Sequence, residues 1–288
     1  MCPIQKGKGI TFIILSSFLF ALMSAFVSLA GPLPFFQKVL FRNIVAVAVS
    51  GIALVIGKIP LRIPRGCGLP LCFRISCGTV GVFCNYYAID HLMLASSNSL
   101  SKLSPFFAIL FAAVFLKEKV SGPQVACITV ALVGSGFLIF PNLGTLGISA
   151  GIALLGGIAS GGSHVALRAL RRNSEINGSV IVFFFSAVST LTALIPSLKY
   201  WSPMTMHQIF VMLLAGSSCA AAQYALTAAY RYAPPKDISI YDCSQIVFSG
   251  LMGYVLFRQI PVPTSMVAYV LIILASVLLF AYYRHERR

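Results

Sequence analysis

An all-α integral membrane protein of ten transmembrane helices is the fold class this sequence predicts, and three observations predict it. Hydrophobic residues fill 58% of 288 positions against 9% charged, with a mean hydropathy of +0.92, far from the make-up of a soluble domain. Apolar runs near the roughly 20 residues needed to cross a hydrocarbon core recur along the chain. Basic residues fall between those runs and favour alternate connections.

The first span, near 10–30, follows Lys6 and Lys8 and is too long for the apolar core of a signal peptide. The second, near 35–56, carries Lys38 and Arg42, and the third, near 69–89, carries Arg74, Asn85 and Tyr86. The fourth, near 93–116, holds Lys102, Ser104 and Pro105 and ends at Leu116-Lys117-Glu118-Lys119; the fifth lies near 121–140. In the sixth, near 144–167, His164 follows Gly156, Gly157, Gly161, Gly162 and Ser163. A G-x-x-x-G run of this kind marks close helix packing rather than a phosphate loop, since no strand leads into it. The seventh, near 178–198, leads to Tyr200 and Trp201, and the eighth, near 206–230, contains Gln223 and Tyr224. The ninth, near 235–257, contains Asp242, and the tenth, near 263–283, ends on Tyr282 and Tyr283. Aromatic rings at both ends of the bundle fit interfacial belts.

With a cytoplasmic N-terminus, the inner segments collect Lys6, Lys8, Lys58, Arg62, Arg65, Lys117, Lys119, Arg168, Arg171, Arg172, Arg231, Lys236, Arg284, Arg287 and Arg288. The outer segments receive only Lys199 and Arg258, so the charges support ten spans with both termini cytoplasmic. The net charge of +15 is accordingly a topology signal and not a nucleic-acid footprint. The eight cysteines form no C-x-x-C pair and read as small apolar residues, with no structural disulfide, metal site or cofactor implied.

Two halves, 1–140 and 141–288, resemble each other at a spacing of roughly 138 to 141 residues, with Phe83 to Lys119 echoed by Ala222 to Gln259. Five spans per half force the second repeat to insert upside down. Inverted repeats recur in secondary transporters, with the solute site near the midplane between them.

Asn85-Tyr86-Tyr87-Ala88, Ser104-Pro105-Phe106-Phe107 and the exit Leu116-Lys117-Glu118-Lys119 resemble the third and fourth helices of the drug/metabolite transporter superfamily, in particular the EamA-type bacterial carriers. Phe41-Arg42-Asn43, Gln223-Tyr224 and Ala229-Tyr230-Arg231-Tyr232-Ala233-Pro234 add further matches. Gln259 stands where that family has glutamate, and Ile246 stands opposite Pro105, so the two halves are functionally unequal. The resemblance implies a five-plus-five carrier of amino acids, nucleotide-related metabolites, vitamins or drug-like compounds.

Ionisable groups away from the span ends are costly in hydrocarbon and each needs a reason. Arg74 is placed to snorkel from near the cytoplasmic end of its span, and Lys38 from just below the outer surface. Arg42 shares a helix face with Lys38 and lies deeper. Lys102 and Asp242 fall toward the midplane, in comparable positions of the two halves. Two readings stand for them: a self-neutralising ion pair that fixes helix packing, or a pair that opens to take a carboxylate or phosphate on Lys102 and an amine or proton on Asp242. Pro105 removes the bond to the Ser101 carbonyl, which is tolerated only where the backbone faces protein or a water-filled cavity.

The expected substrate-binding residues are therefore Arg42, Asn85, Tyr86, Lys102, Ser104, His164, Gln223, Tyr224 and Asp242. Arg42 and Lys102 against Asp242 favour an anionic or zwitterionic solute. The expected protein is an alternating-access carrier in a bacterial inner membrane, as a monomer or a homodimer, with a small-molecule solute and the lipid bilayer as partners. Proton coupling through Asp242 or His164 rests on depth and residue type alone. No G-x-x-x-x-G-K-[ST] loop indicates ATP-driven pumping. A membrane-embedded enzyme of lipid metabolism would need clustered acids or H-E-x-x-H, and the six acids are dispersed. A passive channel would present a ring of like residues in a symmetric oligomer.

Overall fold

The computed structural model describes residues 6–116, 120–139, 145–172, 176–232 and 241–285. These form eleven helices and no strand: α1 (Lys6–Leu29), α2 (Phe35–Ile56), α3 (Gly68–His91), α4 (Leu94–Ser101), α5 (Ser104–Leu116), α6 (Gly122–Ile139), α7 (Thr145–Arg172), α8 (Gly178–Lys199), α9 (Met206–Tyr232), α10 (Ser244–Phe257) and α11 (Pro263–His285). Six of them, α1, α2, α7, α8, α9 and α11, are long and apolar enough to cross a bilayer, and α6 and α10 add shorter apolar stretches. At 24 residues α3 reaches about 36 Å, long enough to span. Its Arg74, Thr79, Asn85 and Asp90 dilute its hydropathy.

The distribution of side chains is that of a protein solvated by lipid. Val55, Ile195 and Val270 are 78%, 76% and 62% exposed, while Ser16, Ser97, Ser163 and Ser189 are fully buried. Small hydroxyls inside let backbones approach and bond across helices, as between Thr79 and Ser189 at 2.7 Å.

Local chemistry sets the helix ends. Gly31, at φ +70°, turns the chain between α1 and α2 in a conformation that only glycine adopts freely. Thr205 and Gln208 form a reciprocal capping box at the start of α9, the Gln208 backbone N–H donating to Thr205 Oγ1 at 3.2 Å and the Thr205 N–H to Gln208 Oε1 at 2.9 Å. The α10 helix closes with Arg258 at φ +55° and the Gln259 N–H bonded to the Gly253 carbonyl at 3.0 Å. The Gln259 side chain then accepts from the N–H of Leu94 at 2.9 Å, so it caps α4 from the other half of the chain.

The closest helix pairings cross between the halves: α3 with α7, α1 with α9, α2 with α8, and α6 with α11; α4 also packs against α10. Two main apolar clusters hold the bundle. One joins Leu100, Leu103 and Phe106 to Ile272 and Ala275, and the other joins Val39 and Tyr86 to Met212 and Ala215. On α7, Gly157 and Gly161 bring its backbone against the junction of α4 and α5, where a Cβ would lie 2.8 Å from the Leu100 carbonyl oxygen and 2.9 Å from that of Ser104.

Candidate functional site

The fourth apolar segment is two helices, not one. At its break, the Lys102 N–H is shared between the Asn98 and Ser99 carbonyls, at 3.0 and 3.1 Å, and the Leu103 N–H reaches Leu100 at 3.2 Å. This tightening to i→i−3 bonds ends α4, and Pro105, with no N–H to give, lies within the first turn of α5, where a proline is tolerated. The ninth segment has a matching turn at Cys243, ahead of α10, without any proline. The two breaks face each other: Lys102 Nζ lies 2.6 Å from Asp242 Oδ2. The Ser17 hydroxyl of α1 is shared by Asp242 Oδ1 and the Asp242 carbonyl, both at 3.1 Å.

Beside this pair is a cavity of about 170 Å³, below the roughly 300–1,000 Å³ usual for small-molecule sites. In this conformation it suits a compact solute. Of the residues expected from sequence, Arg42, Asn85, Tyr86 and Lys102 line it, as do Ser104, His164, Gln223 and Asp242. Tyr224 does not: Gln223 and Leu226 turn their shared face of α9 toward the cavity, and Tyr224, about 100° around the helix from Gln223, points elsewhere. A larger hollow of about 350 Å³ at the 54–61 turn has Lys58 as its one charged wall and gathers no comparable chemistry.

Two expected snorkelling residues turn inward instead. Arg74 lines the cavity, its Nη1 donates to Ser163 Oγ, and its guanidinium sits 5.1 Å from the Phe185 ring centre. Lys38 is 2% exposed and pairs with Asp90 at 2.5 Å. Both corrections have one cause: depth along a helix does not say whether a partner waits on a neighbouring helix, and Asp90 and Ser163 supply such partners.

Arg42 is 4% exposed. Its Nε donates to Cys219 Sγ at 2.9 Å, its Nη1 to Asn43 Oδ1 at 3.4 Å, and its guanidinium lies 5.8 Å from the centre of the Tyr86 ring. His164 lines the same cavity as Arg74, Lys102 and Asp242. The described charged groups on the cavity wall are thus Arg42, Arg74 and Lys102 against Asp242.

Sequence reasoning missed the amide web behind the pair. Asn98 Oδ1 accepts from Gln245 Nε2 at 2.8 Å and from Ser24 Oγ at 3.3 Å, joining α4, α10 and α1. Asn85 Nδ2 donates to Ser101 Oγ at 2.6 Å, joining α3 to the break. The available signal was one of composition: an asparagine and a glutamine inside apolar segments, each about one helical turn from a charged residue already singled out.

A lipid-facing helical bundle with a polar, mainly cationic cavity at its broken segments defines a polytopic membrane transporter. Comparison with known proteins agrees. Residues 7–140 match the EamA-like transporter family. The pseudopaline exporter of Pseudomonas aeruginosa is 29% identical over 94% of this chain and 95% of its own. A riboflavin transporter of Brucella anthropi is 26% identical over 65% of this chain and 68% of its own. One crystal structure superposes with a TM-score of 0.69 at 16% identity, covering 96% of this chain and 98% of that one, a likeness of fold alone. By these matches the chain resembles the EamA-like carriers of the drug/metabolite transporter superfamily.

Proposed function

We propose that this transporter carries a small anionic or zwitterionic metabolite by alternating access, and that its solute binds between Lys102 and Asp242. The observation that carries the reading is the ion pair itself, 2.6 Å long, at the breaks of two facing segments on the wall of a cavity. Such a pair can exchange its internal contact for a solute carboxylate on Lys102 and an amine or proton on Asp242. The cationic balance of the wall favours the acid group. Relatives named for pseudopaline and riboflavin point to metabolite-sized cargo.

The architecture in this reading is ten spans in two inverted repeats, 1–140 and 141–288, with α4 and α5 together forming the fourth span. The helix pairings support it. Exchanging the first five spans for the last five maps α1 with α9 onto α7 with α3, and maps the other three pairings onto themselves. Rocking of the halves about the midplane site would expose the cavity to either side in turn. In this reading both termini lie in the cytoplasm and the protein in an inner membrane, and the charge asymmetry of the connections supports that orientation.

The test is uptake of a labelled panel of amino acids, nucleotides and vitamins into proteoliposomes of known orientation. One anionic or zwitterionic solute is expected to move in wild type and to stop in Lys102→Ala or Asp242→Asn. Variants that match wild type on a transported solute would reduce the pair to a structural one. Proton coupling is read in the same vesicles, as transport that responds to external pH or membrane potential.

A further inference from the structure

Arg42 and Tyr86 form a second pole of the cavity. The other buried cations with described ion pairs have carboxylates: Lys38 has Asp90 and Lys102 has Asp242. Arg42, one helical turn from Lys38 on the same face of α2, is given a thiol, an amide oxygen and the face of a ring. Tyr86 is 1% exposed, and its phenolic oxygen has no hydrogen-bond partner among the described residues. Among the described residues the guanidinium thus meets only neutral groups and the hydroxyl meets none, and each arrangement is unfavourable for a buried polar group. Here they adjoin each other and both line the cavity. An oxyanion would correct both at once, taking charge-assisted bonds from the guanidinium and the phenol.

We infer that the solute carries at least two acidic groups, one held by Arg42 and Tyr86 and the other by Lys102, with Asp242 left to receive an ammonium group. A compact amino dicarboxylate has this chemistry. The inference rests on the cavity being the solute site, as proposed above, and adds the second acid group. The unpartnered phenol does not follow from a structural role, since phenylalanine would fill the same space with nothing left unsatisfied.

The experiment titrates four probes into the purified full-length protein at constant ionic strength: succinate and L-glutamate with two acid groups in their side-by-side comparison with propionate and L-glutamine, each lacking one of them. Each two-acid probe is expected to bind at least tenfold more tightly than its partner, because bonds to charged groups outweigh neutral ones. Tyr86→Phe and Arg42→Gln are expected to erase that ratio. Tyr86→Phe removes a hydroxyl that has no partner, so its thermal midpoint should match or exceed that of wild type and loss of binding cannot be laid to misfolding. Equal binding within each probe pair, no binding of either diacid, or a ratio preserved in both variants would overturn the inference. A clear diacid preference in a protein that moves no solute in proteoliposomes would instead sink the carrier reading and leave the two-acid site standing.

Discussion

Replacing Gly161 by alanine puts a methyl group where the backbone of α7 meets the start of α5. The new Cβ would lie 2.7 Å from Phe107 Cβ, 2.9 Å from the Ser104 carbonyl oxygen and 3.1 Å from the Ala108 nitrogen. Carbon atoms pack best at about 3.5–4.0 Å, so roughly 1 Å of room is missing. None of the three atoms is the end of a flexible side chain that could swing away. The helices must separate, at an overpacking cost of about 1–3 kcal/mol. Gly151 on the same helix is the control, since a Cβ there meets nothing within 4 Å, and alanine in a helix gains about 0.5–1 kcal/mol over glycine. Both changes carry that gain, so it cancels, and the two variants should differ by the overpacking cost of about 1–3 kcal/mol, measured as denaturation midpoints in one detergent. A Gly161→Ala protein as stable as Gly151→Ala would refute the packing argument. It would also remove the reason for supposing that α7 fixes the position of Ser104 beside the cavity.

Lys102→Met and Asp242→Leu should each lower stability by about 3–5 kcal/mol by stranding a buried charge, while the double variant recovers much of the loss. A denaturation cycle reads the stability, and proteoliposome uptake reads whether the stable double variant still transports; on the proposed function it does not. Lys38→Met should be destabilising by a similar amount of about 3–5 kcal/mol, because Asp90 is left buried, whereas a lysine that merely snorkelled would tolerate methionine; thermal midpoints separate the two. Gln259→Ala should cost about 0.5–2 kcal/mol by uncapping α4. Gln259→Glu should hold or raise stability, since a negative group favours a helix N-terminus by about 0.3–1 kcal/mol, and a lower midpoint for the glutamate variant would count against the cap.

What the sequence made legible was what side-chain type and helical spacing can carry. Lys102 and Asp242 stood out because no end of a span is near enough to rescue them, and Pro105 announced the break in the fourth segment. The break at Cys243 has no proline to announce it and is set by tertiary packing. Lys38 and Arg74 were misread as snorkelling because their partners, Asp90 and Ser163, sit 52 and 89 residues away in sequence. Tyr224 was expected beside Gln223, but neighbouring positions on a helix diverge by about 100°, and only one of them can lead its face. The capping of α4 by Gln259 was hidden for the same reason as the ion pairs: the departure from glutamate was visible, but its bonding partner was not.

The placement of the breaks bears on how a carrier of this kind could move. A continuous span resists bending, because every i→i−4 bond inside lipid must be kept or replaced. At Lys102 the bonds are already tightened toward i→i−3, Ile246 reaches Cys243 in the same way, and Ser101, Lys102, Ser104, Asp242 and Gln245 around these turns line a polar cavity. The web of Asn98, Gln245 and Ser24 ties both breaks to α1 through side-chain bonds, which can shift partners more readily than a helical backbone can. Asp242 is held by Ser17 of α1 and by Lys102 of the opposite break, so a solute acid that draws Lys102 away leaves Asp242 held by α1 alone. On the proposed mechanism, solute binding thereby weakens a direct link between the two halves at their centre. Binding energy would then favour rearrangement only for solutes able to compete with the Asp242 carboxylate.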